Sequence, residues 1–210
     1  MFKQFSFVLC FVGFWKETVG HGMMIDPPNR SSRWRYDSNA PINYNDNALY
    51  CGGFGIQWGA SKGWCGICGD SYSDPRPRPN ELGGTYGQGV IVAEYQANSI
   101  FNVTIMLVQN HKGTFTFSMC NYDASQQEEE ECFQTLYLSD GSDKVPIYSE
   151  YGNRNLTYEL RLPSGLTSEH SILRWNYRAG NNWGIDEDGT ECLGCGPQET
   201  YRTCTDIAIK

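Results

Sequence analysis

Hydrophobic and polar residues alternate along several segments in the second half of the chain, which is the pattern of half-buried β-strands. The clearest alternation places four residues on one face: Phe101, Val103, Ile105 and Leu107. The same period recurs over residues 114–118, 156–162, 172–177 and 207–209. Several short strands separated by turn residues are typical of an all-β fold. We therefore predict an antiparallel β-sandwich of the immunoglobulin/fibronectin-like type.

Residues 21–88 lack this periodicity and are rich in glycine, proline, asparagine, aspartate and aromatic residues. We expect a long loop region with short helical turns at most, held by disulfides at Cys51, Cys65 and Cys68. A structureless segment of this length within one domain is uncommon and usually functional. Because we find no repeat and no linker, we predict a single domain over 21–210. The acidic run 128–131 is expected to be a solvated loop, since crowded like charges repel.

The first twenty residues have the three-part pattern of a secretory signal peptide. A short basic segment with Lys3 precedes an apolar stretch over residues 5–15, and small residues lead up to Gly20. We predict that residues 1–20 are removed, that His21 becomes the first residue, and that the mature protein is secreted and extracellular.

Removal of this leader takes away Cys10 and leaves eight cysteines. In an oxidising compartment an even number favours disulfides, and the candidates are Cys51, Cys65, Cys68, Cys120, Cys132, Cys192, Cys195 and Cys204. The pairing cannot be deduced from the sequence. A zinc site made of the two C-x-x-C pairs, 65–68 and 192–195, is the alternative. Three Asn-x-Ser/Thr sequons predict N-glycosylation at Asn29, Asn102 and Asn155.

The composition excludes several classes of protein. Of the 210 residues, 40% are hydrophobic, which is enough to close a core and argues against disorder. The formal net charge of −8 argues against nucleic acid or an anionic membrane surface as a partner. No apolar run reaches the roughly 20 residues that a membrane span needs. We expect a monomer.

The predicted N-terminal histidine has specific chemistry. A terminal His21 offers its α-amine and its ring Nδ1 to one metal, but only after cleavage, because a peptide nitrogen has no usable lone pair. A third nitrogen from another histidine would complete a planar set that suits Cu(II). The mature chain has two other histidines, His111 at a predicted hairpin tip and His170 before a predicted strand, and position alone barely separates them.

Several motifs together resemble the lytic polysaccharide monooxygenases of auxiliary activity family fifteen. The resemblance spans nearly all of 21–210 and rests on HGMMIDPP at 21–28, RSSRWR at 30–35, NYNDN at 43–47, CGG at 51–53, CGICGD at 65–70, NHKG at 110–113, WNY at 175–177, GNNWG at 180–184 and GCGPQETYRTCTDI at 194–207. Each motif is short, but the set is specific.

The resemblance implies one copper ion per chain, held by a histidine brace. His21 would supply its amine and Nδ1, and His111 would supply Nε2. Tyr201 falls where the family places an axial aromatic residue, a weak ligand that shields one face of the metal. Gln198 and Glu199 just precede it, and a side chain there could hydrogen-bond the oxygen co-substrate and steer its protonation.

The same resemblance implies oxidative cleavage of an insoluble polysaccharide, chitin or cellulose, at C1 or C4, with an external reductant and H2O2 or O2. Tyr44 and then Trp34 are the first candidates for binding the polymer surface. One position departs from the family, because Gln109 stands where a small residue is usual. This departure leaves open a non-catalytic protein, a secreted copper carrier or polysaccharide-binding module.

Two further interpretations remain. A glycoside hydrolase would need a carboxyl pair such as Asp70 and Glu81, or Asp186 and Asp188, at a fixed separation across a cleft. The run 186–189 also hints at calcium, but no loop with the required ligand spacing follows it, so we discount this second interpretation.

Overall fold

The structure, a computed structural model, describes residues 21–210. The predicted signal peptide, 1–20, lies outside the described residues. Eleven strands and one short helix are named here: β1 (His21–Asp26), β2 (Ala93–Tyr95), β3 (Ile100–Gln109), β4 (Gly113–Asn121), α1 (Tyr122–Ser125), β5 (Gln134–Thr135), β6 (Lys144–Ile147), β7 (Arg154–Arg161), β8 (Ser168–Arg178), β9 (Trp183–Ile185), β10 (Glu191–Leu193) and β11 (Thr200–Ile209). Short 3-10 turns lie at Arg33–Arg35, Glu130–Cys132 and Ser149–Tyr151, and a π-helical turn at Ile56–Ala60.

Two sheets pack face to face, as the alternation predicts. The smaller sheet has the order β1-β3-β7 and the larger has the order β2-β11-β8-β4-β5, with β6 also paired to β4. Their pairings are antiparallel except that β2 runs parallel to β11. A separate hairpin, β9–β10, lies beside them. The predicted β-sandwich is confirmed, with one parallel edge strand as an exception.

The core lies between the two sheets and is built from the predicted alternating positions. Phe101, Val103, Ile105 and Leu107 of β3 are all buried. Opposite them, Trp175 of β8 is fully buried within a cluster of aromatic rings. Burying large apolar side chains is the main force that holds such sheets together.

The pattern missed five short strands of two to four residues, β2, β5, β6, β9 and β10, and also the longer β1. We expect a loop over 21–26 from the sequence, but this segment forms β1 at the edge of the smaller sheet and pairs with β3. Its residues do not alternate because Met23 and Met24 are both fully buried, so both faces of the strand are covered. A strand buried on two sides loses the period of two.

The long loop region is held by disulfides, as expected. Cys51 pairs with Cys65 and Cys68 with Cys204, while the other bridges join Cys120 to Cys132 and Cys192 to Cys195. All eight cysteines between 21 and 210 are therefore paired. The zinc alternative is wrong, because all four of the cysteines that it needs are in disulfides and have no thiolate to offer.

The acidic run 128–131 is not simply a solvated loop. Glu128 is buried, with its carboxylate 2.5 Å from Nη1 of Arg30, and it also accepts a hydrogen bond from the Leu82 backbone. Glu130 forms ion pairs with Arg174 and Arg202. The expectation failed because repulsion within the run is outweighed by cations brought in from distant parts of the chain.

One predicted glycosylation site does not fit the fold. Asn29 is fully buried, its amide donates to the Met24 carbonyl, and its oxygen accepts from the backbone of Ser31 and Ser32. A glycan on this nitrogen would replace a buried hydrogen bond by a bulky group, so this prediction is corrected. Asn102 and Asn155 are exposed on the smaller sheet and stay predictions.

Over the described range, 21–210, no helix is long and apolar enough to cross a bilayer.

Candidate metal centre

The turn between β3 and β4 holds His111 in place through its backbone. The His111 N–H donates to the Tyr177 hydroxyl at 2.8 Å, and the His111 carbonyl accepts from the Gly180 N–H at 2.9 Å. Gly113, with a φ of +92°, allows this close approach, since a Cβ there would lie 2.1 Å from the Arg178 carbonyl oxygen. His111 as a whole is only 4% exposed, so the imidazole is fixed at one end of the sandwich.

Strand pairing brings the second predicted ligand to the same end. The backbone of His21 opens β1 and lies opposite Gln109, the last residue of β3 and only two positions before His111. The register therefore places the start of β1 beside the turn that carries the buried imidazole.

His170, which the sequence could not exclude as the second metal ligand, lies away from the start of β1. It is part of β8, and its Nε2 is 2.8 Å from a carboxylate oxygen of Asp206, an acid that also binds Arg30. This ring is held by partners of its own. Of the two candidates, only His111 neighbours the start of β1.

The imidazole of His111 has one nitrogen without a partner. Its Nδ1 is buried and makes no hydrogen bond within the described part of the chain, and the Glu199 Oε2 lies 3.5 Å from it. A buried polar atom left unsatisfied costs free energy unless something binds it. A carboxylate on this side favours the tautomer with the proton on Nδ1, which leaves the lone pair of Nε2 for a metal.

Glu199 joins His111 to the predicted axial residue. The hydroxyl of Tyr201, which is fully buried at the start of β11, donates to the same Glu199 oxygen at 3.1 Å. Burial raises the pKa of Tyr201, and the negative charge of Glu199 raises it further, so the phenol keeps its proton. Burial likewise raises the pKa of Tyr177, whose ring lies 5.7 Å from that of Tyr201.

Gln198 has a different position from Glu199. Its amide nitrogen donates to the carbonyls of Asn182 and Cys195, and its oxygen accepts from the Asn182 N–H. All these bonds brace the loop that carries β9 and β10. Of the two residues predicted to handle protons, Glu199 is the one whose carboxylate faces His111.

The predicted substrate-binding aromatics lie beside the start of β1. Tyr44 is 80% exposed and meets Trp34 edge to face, with ring centroids 5.6 Å apart. Trp34 is half-buried, and its indole donates to Asp46. The next residue, Asn47, accepts a hydrogen bond from the Gly22 N–H, which ties this loop to β1.

The first carboxyl pair of the hydrolase interpretation, Asp70 and Glu81, makes structural contacts within the loop region. Asp70 is buried and accepts two hydrogen bonds from Asn80, and burial raises its pKa. Glu81 is ion-paired with Arg76 and Arg78. These contacts hold the loop region together and leave both carboxylates occupied.

The second such pair lies in the β9–β10 hairpin. Asp186 accepts from the Gly196 N–H and Asp188 from the Thr190 N–H, so each carboxylate stabilises a turn. Backbone hydrogen bonding lowers the pKa of Asp188.

Sequence reasoning gave no role to Tyr177, although its hydroxyl positions the His111 backbone. An inward-facing tyrosine in an alternating strand is indistinguishable from an ordinary core aromatic until the opposite turn is known. The one available signal was a polar hydroxyl at a position that alternation assigns to the core.

The chain is similar to known monooxygenases in sequence and in structure. A family model described as "Lytic polysaccharide mono-oxygenase, cellulose-degrading" matches residues 21–207. A solved structure, "Lytic Polysaccharide Monooxygenase AA15 from Thermobia domestica in the Cu(I) State", has a TM-score of 0.86 and 47% sequence identity, covering 90% of this chain and 98% of that one. A comparison with curated proteins finds no match.

A more distant structure shares the fold alone. The "AA10 lytic polysaccharide monooxygenase (LPMO) from Streptomyces lividans" has a TM-score of 0.51 and 14% identity, covering 90% of this chain and 99% of that one. The family model and the Thermobia structure extend over the strands that bring His111, Glu199 and Tyr201 together. The chain therefore belongs to the lytic polysaccharide monooxygenases, in auxiliary activity family fifteen, and is a copper monooxygenase.

Proposed function

We propose that the mature protein is a secreted enzyme that cleaves an insoluble β-linked polysaccharide, chitin or cellulose, by oxidation at C1 or C4. An external reductant and H2O2 or O2 would be its co-substrates. The observation that carries the proposal is the register of β1 on β3, which sets the His21 backbone opposite Gln109, beside His111. The matching family model is described as cellulose-degrading, and chitin is the alternative polymer.

The donor set fits copper. Cleavage after Gly20 would free the α-amine of His21, and this amine, the His21 ring and His111 would together hold the ion. Glu199 favours a proton on Nδ1 of His111, and this leaves the lone pair of Nε2 available as a neutral nitrogen ligand. Among the divalent first-row metals, copper binds such nitrogen ligands most tightly. Copper, when bound, supplies the one-electron chemistry that a strong C–H bond requires.

Glu199 is the residue that we propose holds and moves a proton. Its Oε2 accepts from the Tyr201 hydroxyl and faces the His111 Nδ1, and its side chain is 16% exposed, so solvent can reach it. The buried Tyr201 phenol stays protonated and keeps donating to this oxygen. Glu199 can therefore exchange a proton with solvent while both neighbours fix its orientation.

The polymer would lie across the exposed aromatic surface beside β1. Tyr44 offers a ring to a sugar face, while Trp34 supports it from the side and is itself held by Asp46. A supported ring loses little conformational entropy on binding. Chitin and cellulose are uncharged, so the acidic chain does not repel them.

Two measurements test the proposal. The N-terminal residue of the secreted protein should be His21, and digests of chitin and cellulose with copper and ascorbate should contain aldonic acids or C4-oxidised products by mass spectrometry. Another first residue would contradict the histidine brace. Tight copper binding without oxidised products from either polymer would favour the non-catalytic carrier, and activity that survives a chelator would favour a hydrolase.

A further inference from the structure

A groove opens between the π-helical turn Ile56–Ala60 and the β9–β10 hairpin. Its volume is about 570 Å³. Apolar groups form one part of the lining and carboxylates the other, namely Trp58, Ile185 and Pro197 with Asp186, Glu187 and Asp188. The predicted copper site leaves this groove without a role.

The indole of Trp58 is held rigidly although it is 38% exposed. Its Nε1–H donates to the Gln198 carbonyl at 2.8 Å. Its six-membered ring lies against Gly63, where an added Cβ would come within 2.9 Å of the ring. An exposed aromatic ring fixed on one side and at its polar end can bind a ligand without losing rotamer freedom.

The turn that carries Trp58 is itself anchored to β11. Gln57 is buried and donates to the Thr200 hydroxyl at 3.1 Å and to the Gly63 carbonyl at 3.3 Å. π-Helical turns are rare and frequently lie at functional sites. Because Trp58 bonds to the residue before Glu199, the groove begins one residue along the chain from the proposed proton-handling group.

The rim of the groove offers fixed hydrogen-bond acceptors. Asp186 and Asp188 each use one oxygen to bind a backbone N–H at 2.7 and 2.9 Å, which orients the carboxylates, while Glu187 stands between them. An aromatic ring beside oriented carboxylates matches a sugar, which has apolar C–H faces and a rim of hydroxyl donors.

We propose that this groove is a binding subsite for one strand of a neutral β-linked polysaccharide, with a sugar face stacked on Trp58 and hydroxyl groups donating to the carboxylates of the 186–188 loop. The proposal rests on the proposed function, since it extends the same polymer beyond the copper site. The negative charge of the rim repels uronic acid and sulfated polymers.

The test compares two exposed tryptophans of the same disulfide-closed loop. Trp58 lines the groove, whereas Trp64 stacks on Tyr72 with centroids 6.0 Å apart and is outside its lining. Binding of the copper-loaded mature protein to chitin and to cellulose is measured without reductant. W58A should weaken binding to the preferred polymer about tenfold, and W64A should leave it within about twofold.

Copper affinity and the melting midpoint of both variants serve as controls for folding. W58F keeps a ring but loses the bond to Gln198, and it should lie between wild type and W58A. E187Q should weaken binding less than W58A. Equal losses for W58A and W64A, or no loss for either, would overturn the subsite.

A measurement on the wild-type protein tests the subsite without relying on the correct folding of any variant. In the anaerobic copper(I) form, the indole N–H resonance of Trp58 should shift on adding the soluble hexasaccharide of the preferred polymer, and that of Trp64 should not. An unshifted Trp58 signal in the presence of saturating hexasaccharide contradicts the subsite. If the wild-type protein forms oxidised products but W58A binds the polymer as tightly as wild type, the subsite is contradicted and the proposed function is not. If binding is tight and depends on Trp58 but no oxidised products form, the proposed function is contradicted and the subsite is not.

Discussion

Two histidines near opposite ends of the larger sheet have opposite surroundings. His170 pairs with Asp206, which in turn binds Arg30, and Arg30 reaches Glu128, so this buried cluster is satisfied throughout. At the other end, His111 has a buried Nδ1 with no hydrogen bond in the described structure and a carboxylate 3.5 Å away. A satisfied polar cluster holds a fold together, whereas a buried imidazole that faces a carboxylate through Nδ1, without a hydrogen bond to it, is a candidate metal ligand through its other nitrogen, Nε2.

Replacing each histidine in turn should give the largest difference between the two ends of the sheet, one in copper affinity and the other in stability. H111A should lower copper affinity by more than about 100-fold, since losing a ligand costs more than losing its orienting neighbour, and oxidised products should disappear. H170A should leave copper affinity unchanged and lower the melting midpoint. Isothermal titration with copper and thermal unfolding make the comparison, and a copper defect in H170A would contradict it.

Breaking the satisfied cluster should cost stability alone. D206N removes one of the two carboxylates that pair with the buried Arg30 and leaves Glu128 as the other. We expect a loss of about 3 kcal/mol and a fall in melting midpoint of roughly 6–12 °C. Copper affinity should be retained. Calorimetry and copper titration test this, and a variant as stable as wild type would show that the pair contributes nothing.

The same variant should change the acid sensitivity of the fold. Burial alone would raise the pKa of Asp206, but the charges and hydrogen bonds of Arg30 and His170 together lower it. Its contribution is therefore fully present above its ordinary pKa of about 4 and is lost as pH falls through the lower folded value. Glu128 acts in the opposite direction because burial raises its pKa. Wild type and D206N, which share Glu128, should thus converge in melting midpoint below about pH 4.

At the unsatisfied end, E199Q tests proton handling separately from metal binding. An amide still accepts from Tyr201 but cannot exchange a proton, so turnover should fall about 100-fold. Copper affinity should change far less than in H111A. The diagnostic measurement is the rate at which oxidised products form as a function of pH. Loss of a proton-handling group removes a pH dependence of this rate, whereas a packing defect would leave that dependence in place.

Gln109 should give the smallest effect. Its backbone lies opposite His21, and the family resemblance implies a small residue at this position. Q109A should open the approach to the metal and raise the rate of peroxide-driven turnover severalfold, with copper affinity unchanged. Steady-state rates over a range of H2O2 concentrations test this, and a slower variant would show that Gln109 assists the reaction.

Alternation located β3, whose buried and exposed residues alternate, and it also located β8, although residues 171–175 of that strand are all buried. β1 was missed because the adjacent residues Met23 and Met24 are both buried, so no period of two is visible. The acidic run was misread because its cations come from distant segments that no local pattern reveals. Disulfide pairing was undetermined for the same reason, since Cys68 finds its partner 136 residues away.

The candidate site was predicted in part. The terminal-histidine argument and the resemblance pointed to His21 and His111, while position alone did not exclude His170. The role of Tyr177 as a backbone anchor depends on how a strand meets a turn, which only the folded structure provides. The same is true of Trp58, whose rigidity comes from Gly63 and Gln198.

The last strand of the chain has a consequence for biosynthesis. β11 lies between β2 and β8, and it carries Tyr201 as well as Cys204, the partner of Cys68. During synthesis the larger sheet therefore stays open between β2 and β8 until residues 200–209 have been made. A chain that stopped before β11 would lack both the Cys68–Cys204 bridge and the predicted axial residue Tyr201, so this cross-link can form only in a chain that also carries that part of the copper site.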